Sequence, residues 1–147
     1  MSPLHGTGPP CRWQTCDDVR TLAMDGVGLA RAHGVANLAG GLWPLLHLRS
    51  FEMVFGPKTD RWLVKTVAGL LIVNGITQLA TSSSVASMRQ ARRLGVGTAA
   101  VLAAVDMIYV PAGRISKMYL VDAAVEVAWI MAWYQADVPA PTATGNS

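Results

Sequence analysis

Four apolar stretches, each close to the length of a helix that crosses a bilayer, occur in this chain of 147 residues. They cover residues 27–48, 62–81, 95–110 and 115–134, and a spanning helix needs about 20 residues. A soluble helical protein of this size would need a charged outer face on each helix. The second stretch has no such face, because Lys65 is its one charge. The sequence therefore predicts an all-α fold, a transmembrane four-helix bundle.

The composition and the distribution of charge favour the same class of protein. Hydrophobic residues make up 52% of the chain and charged residues 14%, against about 25% charged in ordinary soluble domains. The net charge is +3, but the basic residues cluster between the apolar stretches, which is typical of membrane loops. No nucleic-acid-binding motif accompanies them. The predicted partner is the lipid bilayer, and the basic residues divide too evenly between the two sides to assign an orientation.

Two tails flank the predicted membrane domain, which covers residues 24–135. Residues 1–23 are polar and lack the basic start, apolar core and cleavage site of a secretory signal. Met24 directly precedes the first apolar stretch, so it is an alternative start of translation. Residues 136–147 are rich in Pro, Thr and Gly and are predicted to be disordered.

Motifs for metal binding and catalysis are incomplete in this sequence. Cys11 and Cys16 are the only cysteines, and even with His5 they fall short of the four ligands of a structural zinc site. The pair Asp25-Gly26 and the following Ala-Arg resemble the opening of membrane phosphatidyl-alcohol transferases, but the spacing is one residue too long. The later paired aspartates of that family are also absent. We therefore predict no catalytic residue, no metal and no cofactor, and a membrane-embedded enzyme is the third functional alternative.

Ionisable side chains inside the apolar stretches define the first candidate site: Lys65, Asp106, Asp122 and Glu126. With four spans, the loops after the first and third spans lie on the same side of the membrane. Counting about 1.5 Å per residue from those loops places Lys65, Asp106 and Asp122 within one helical turn of the same depth. Glu126 follows Asp122 by one turn on the same helical face. The sequence therefore predicts that these residues converge in one half of the bundle.

Two interpretations of this polar cluster remain open at the level of sequence. In the first, Lys65 pairs with Asp106 or Asp122 and fixes the register of the helices, while Glu126 stays neutral. In the second, the surplus of acids forms a proton- or cation-responsive pocket, because an unpaired intramembrane carboxylate is costly. The first predicts a non-enzymatic structural or accessory membrane component. The second predicts a small proton- or cation-linked transporter.

The loop between the first two spans carries the second candidate site: Arg49, Glu52, Lys58, Asp60 and Arg61. Phe51 and Phe55 are four residues apart, which predicts a short amphipathic segment at the membrane interface. Asp60 is placed to cap the second spanning helix with its side chain. The loop either packs over the polar half of the bundle as a plug or lines an entrance to it.

Two patterns on the fourth stretch predict how it packs. Asp122, Glu126, Trp129 and Trp133 follow helical spacing and form one inward stripe. On a neighbouring face, small residues repeat every four positions, and such a run permits close helix contact. The residues of this small face are Ala124, Ala128 and Ala132. We expect it to support a homo-oligomer.

Two segments resemble a known group of proteins. The run GLWPLLHLRSFEMVFGPKTDRWLVKTV over residues 41–67 and the run IYVPAGRISKMYLVDAAVE over residues 108–126 cover about a third of the chain. They are similar to uncharacterised bacterial four-helix membrane proteins with a WP…RSFE…GPKTDxWLV pattern. The architecture more distantly resembles the DoxX-like membrane proteins. The resemblance implies a four-span fold and a bacterial inner-membrane location, and it implies no activity.

Overall fold

The computed structural model describes residues 26–136, which form five α-helices and no strand. The helices are α1 (Gly26–Leu46), α2 (Leu48–Phe55), α3 (Arg61–Leu79), α4 (Val85–Tyr109) and α5 (Tyr119–Gln135). The predicted all-α fold is confirmed. The N-terminal tail, with its cysteines, and residues 137–147 of the C-terminal tail lie outside the described residues.

Helix α4 begins well before the apolar stretch that predicted it. Its first residue is Val85 rather than residue 95, because the Ser84 Oγ caps the helix by accepting a hydrogen bond from the Ser87 backbone N–H at 3.2 Å. The three arginines at 89, 92 and 93, which were expected in a loop, therefore lie on the first turns of α4. Hydropathy marks the apolar part of a helix, whereas the cap marks where the helix starts.

The connections on the other side of the bundle are short and ordered. Pro44 lies inside α1 and the helix continues to Leu46. The predicted amphipathic segment is the separate helix α2, whose N-terminus is capped by His47. Helix α5, which corresponds to the fourth apolar stretch, starts at Tyr119 rather than residue 115, because residues 110–118 form turns that include Gly113 at φ +66°.

Helices α1 and α3 form one closely packed pair, and α4 and α5 form the other. Glycines permit the close contact between α1 and α3. A Cβ built on Gly75 would lie 2.6 Å from the carbonyl oxygen of Gly34, and one built on Gly41 would lie 2.6 Å from that of Ala68. Small residues at such positions let helix backbones approach each other and gain dispersion energy.

The distribution of side chains is the reverse of that in a soluble bundle. The buried apolar residues are mainly alanines with Leu29 and Trp133, and the same interior holds His, Asn, Gln, Asp and Glu side chains. Large apolar side chains on all five helices face outward. Within residues 26–136 one helix, α3, is long and apolar enough to cross a membrane by length and composition alone.

Candidate functional site

The three acids of the predicted cluster come together where α4 meets α5. Asp106 and Glu126 are 4% and 8% exposed, and Asp122 is partly buried. Each of the three carboxyls interacts electrostatically with at least one of the others. Asp106 Oδ2 and Glu126 Oε2 are buried and have no hydrogen-bond partner in the described part of the chain. We call these three residues the acidic cluster.

Lys65 does not join the acidic cluster, contrary to the predicted pairing. Its side chain is exposed on α3, and the ion pair that the described residues contain joins Arg61 to Glu52, with Nε and Oε1 3.4 Å apart. Residue counting predicts only the depth of Lys65 along α3. The side of α3 on which Lys65 lies depends on how that helix packs against the others, and residue counting does not determine the packing.

Lys58 supplies the positive charge that Lys65 was expected to provide. It lies in the turn between α2 and α3, and it interacts electrostatically with Glu52 and Asp106. Its Nζ donates a 3.0 Å hydrogen bond to the Phe55 carbonyl oxygen and lies 4.5 Å from the centroid of the Tyr119 ring. Burial lowers the pKa of Lys58, and the two nearby carboxylates oppose that shift.

Aromatic rings join the loop to the first turn of α5. The Phe51 and Phe55 centroids are 4.8 Å apart, and those of Phe55 and Tyr119 are 4.7 Å apart. Trp43 packs edge-on against Phe51, and its Nε1 donates a 2.7 Å hydrogen bond to Ser50 Oγ. The loop therefore packs against the first turn of α5.

The remaining residues of the predicted loop site have different roles. Glu52 fastens the loop, because its Oε1 accepts a 3.3 Å hydrogen bond from the Lys58 backbone N–H and its Oε2 accepts one from Arg61. Arg49 is exposed. Asp60 is the N-cap residue of α3, but its side chain makes no capping hydrogen bond, contrary to prediction. Its backbone oxygen accepts from Leu63 instead.

A second polar cluster, not predicted from the sequence, lies in the other half of the bundle. His33 stacks on Trp129 with centroids 4.5 Å apart, and His33 Nδ1 accepts a 3.0 Å hydrogen bond from Trp133 Nε1. Asn37 Nδ2 donates a 2.8 Å hydrogen bond to Gln78 Oε1. We call these five residues the histidine cluster. His33 Nε2 and Gln78 Nε2 are buried and unpartnered among the described residues.

One sequence signal could have found the histidine cluster. His33 and Asn37 are four residues apart, so they lie on one face of α1, and Gln78 lies inside another apolar stretch. The sequence prediction rested on charged residues, and it did not include these side chains because Asn and Gln are neutral.

The inward stripe of α5 connects the two clusters. Glu126 and Trp133 are buried, and Asp122 and Trp129 are partly buried, as predicted. The stripe covers about 16 Å of helix from Asp122 to Trp133. Two carboxylates therefore lie at the start of this stripe, and two tryptophans that pack in the hydrophobic core lie at its end.

The predicted small face of α5 is exposed at two of its three alanines. Ala124 and Ala128 are exposed, whereas Ala132 is partly buried against the core of this chain. Within residues 26–136, no group of three His, Cys, Asp or Glu side chains is arranged to hold a metal ion.

Comparison with known proteins gives no family model, no curated protein and no solved structure that matches this chain.

Proposed function

We propose that the chain is a multi-pass membrane protein of the bacterial inner membrane, with α1, α3, α4 and α5 as its spans and a structural or accessory role. The supporting observation is the reversed polarity of the bundle. A soluble protein rarely exposes a large contiguous apolar surface, whereas this chain exposes large apolar side chains on every helix. In lipid, such side chains belong outside and small residues belong at the helix contacts.

Polar side chains of α3 support the same proposal, because lipid cannot satisfy a hydrogen-bonding group. The exposed hydroxyls of Thr66 and Thr77 donate to the backbone oxygens of Trp62 and Val73, four residues earlier, at 3.0 and 2.8 Å. Asn74 Nδ2 donates a 2.9 Å hydrogen bond to Thr98 on α4. The hydrogen bonds of these side chains are therefore made within the protein, without water.

The proposal also assigns a role to helix α2 and to the exposed alanines of α5. Helix α2 lies at the membrane interface, with Met53 and Val54 exposed toward the acyl chains. The exposed Ala124 and Ala128 offer a small-residue face to a second copy of the chain.

Fractionation tests the membrane proposal. After extraction of cells with alkaline carbonate or high salt, we expect the chain to stay in the membrane fraction. As a test of the lipid face, Val73→Arg on the exposed side of α3 should reduce membrane insertion, because an arginine at the centre of a span costs about 2.5–3.5 kcal/mol on insertion scales. The matched control is Val73→Ala, which should insert normally. Release of the wild-type chain by carbonate would refute the proposal.

A second candidate function, a small proton- or cation-linked carrier, is favoured by one observation. Three acids lie together near one partly buried cation, Lys58, and two of their oxygens lack hydrogen-bond partners among the described residues. Proton flux into proteoliposomes tests it, with Glu126→Gln expected to abolish flux and Asp60→Asn, at an exposed position, expected to leave it unchanged. Absence of flux in the wild-type chain would leave the structural role as the proposal.

A further inference from the structure

The end of Lys58 lies in a site with the chemistry that binds an ammonium group. The Tyr119 and Phe51 ring centroids are 4.5 and 6.0 Å from its Nζ, and aromatic faces attract a cation within about 6 Å of the ring. The Phe55 carbonyl oxygen accepts one of the three Nζ hydrogens at 3.0 Å. Phe55 also packs against Tyr119 and fixes the spacing of the rings.

A buried acid interacts electrostatically with this site. Asp106 interacts electrostatically with Lys58, and it is 4% exposed. Its Oδ2 has no hydrogen-bond partner among residues 26–136, although a buried carboxylate oxygen normally has one. The Lys58 ammonium is therefore bound by aromatic faces and a carbonyl acceptor, and the Asp106 carboxylate attracts it from beyond ion-pair distance.

We propose that Phe51, Tyr119 and the Phe55 carbonyl, with Asp106 attracting the charge from a greater distance, form a binding site for a primary ammonium group, which Lys58 occupies from within the chain. A ligand with such a group, on a lipid headgroup or a free amine, binds by displacing the Lys58 side chain. The proposal rests on the acidic cluster of the carrier candidate and names the class of cation. It does not depend on transport, and its test uses no flux measurement.

The position of Lys58 makes displacement physically reasonable. The loop backbone is held separately, because Glu52 accepts from the Lys58 N–H and pairs with Arg61. The side chain can therefore leave without unfolding the loop.

Chemical rescue in detergent tests the site, with n-butylammonium chloride as the probe and sodium chloride and n-butanol as controls. Lys58→Ala empties the site, and we expect it to bind butylammonium about tenfold more tightly than the wild-type chain by isothermal titration calorimetry. Adding Tyr119→Leu should remove that gain, whereas adding Tyr119→Phe should retain it because the ring remains. Arg49→Ala, which removes an exposed cation from the same loop, should bind as the wild type does.

A measurement on the wild-type chain covers the case in which Lys58→Ala does not fold. Butylammonium should increase the rate of Lys58 acetylation relative to that of the exposed Lys65, followed by mass spectrometry, because reaction of the added amine with the reagent slows both lysines alike. Faster Lys58 acetylation in phosphatidylethanolamine nanodiscs than in phosphatidylcholine nanodiscs would identify a lipid headgroup as the source. Acceleration by butylammonium alone would identify a free amine. Equal affinity of the wild type and Lys58→Ala, or a Lys58 rate unchanged relative to that of Lys65 with both probes, would overturn the proposal.

Discussion

The indole Nε1 of Trp133 donates a 3.0 Å hydrogen bond to Nδ1 of His33, which is 100 residues away in the chain. Because Nδ1 accepts, the neutral imidazole carries its own hydrogen on Nε2. Both side chains are almost completely buried. This contact joins the last helix of the bundle to the first.

Removal of this hydrogen bond should destabilise the bundle. Trp133→Phe deletes the donor and part of the ring, so it leaves His33 Nδ1 unsatisfied and creates a cavity. We expect a loss of about 2–4 kcal/mol, measured as a lower midpoint of thermal unfolding in detergent. Trp62→Phe, at a side chain that is 68% exposed, is the control and should change the midpoint little. Equal effects of the two substitutions would contradict the role of the contact.

Glycines at the α1–α3 contact should be intolerant of a methyl group. In Gly75→Ala the new Cβ would lie 2.6 Å from the Gly34 carbonyl oxygen and 2.8 Å from Leu38 Cγ. The helices must then separate, at a cost of about 1–3 kcal/mol. Gly69→Ala on the same helix meets no atom within 4 Å and should gain up to about 1 kcal/mol from helix propensity. Unfolding in detergent checks both, and a stable Gly75→Ala would disprove the close contact.

The electrostatic partner of the acidic cluster can be identified by a double-mutant cycle. Lys58→Met and Asp106→Asn should be coupled by about 0.5–3 kcal/mol, because the two groups interact. Lys65→Met and Asp106→Asn should be additive, since Lys65 is exposed. The measured quantity is the free energy of unfolding of the four chains in each cycle. Coupling to Lys65 but not to Lys58 would restore the pairing expected from the sequence.

The lowered pKa of Lys58 predicts a pH dependence of stability. Between that lowered value and the ordinary 10.5, the unfolded chain binds the proton and the folded chain releases it. Stability linked to Lys58 should therefore rise with pH across this window and be lowest below it. Glu52, Asp106 and Tyr119 face this ammonium, so the comparison is with Lys58→Met, which keeps those groups. The difference between the two unfolding curves should change with pH across this window, and a constant difference within it would refute the prediction.

The order and number of the main helices followed from the sequence because hydropathy is a local property. Four apolar stretches became four long helices, and Phe51 and Phe55 indicated the short helix α2 correctly. The convergence of Asp106, Asp122 and Glu126 also followed, since residue counting determines depth along helices that pack side by side. The start of α4 did not follow, because a serine cap and charged first turns carry no hydropathy signal.

Only the tertiary structure determined which side chains of different helices contact each other. Residue counting placed Lys65 at the depth of the acids, yet its side chain is exposed. Lys58, from the turn after α2, interacts electrostatically with Asp106 instead. The contact of His33 with Trp133 could not be predicted from the sequence either, because it depends on the orientation of α1 and α5 about their own axes. Periodicity determines the faces of one helix. The rotation of each helix about its axis is set by packing contacts such as that of Gly34 with Gly75, which arise only when the helices assemble.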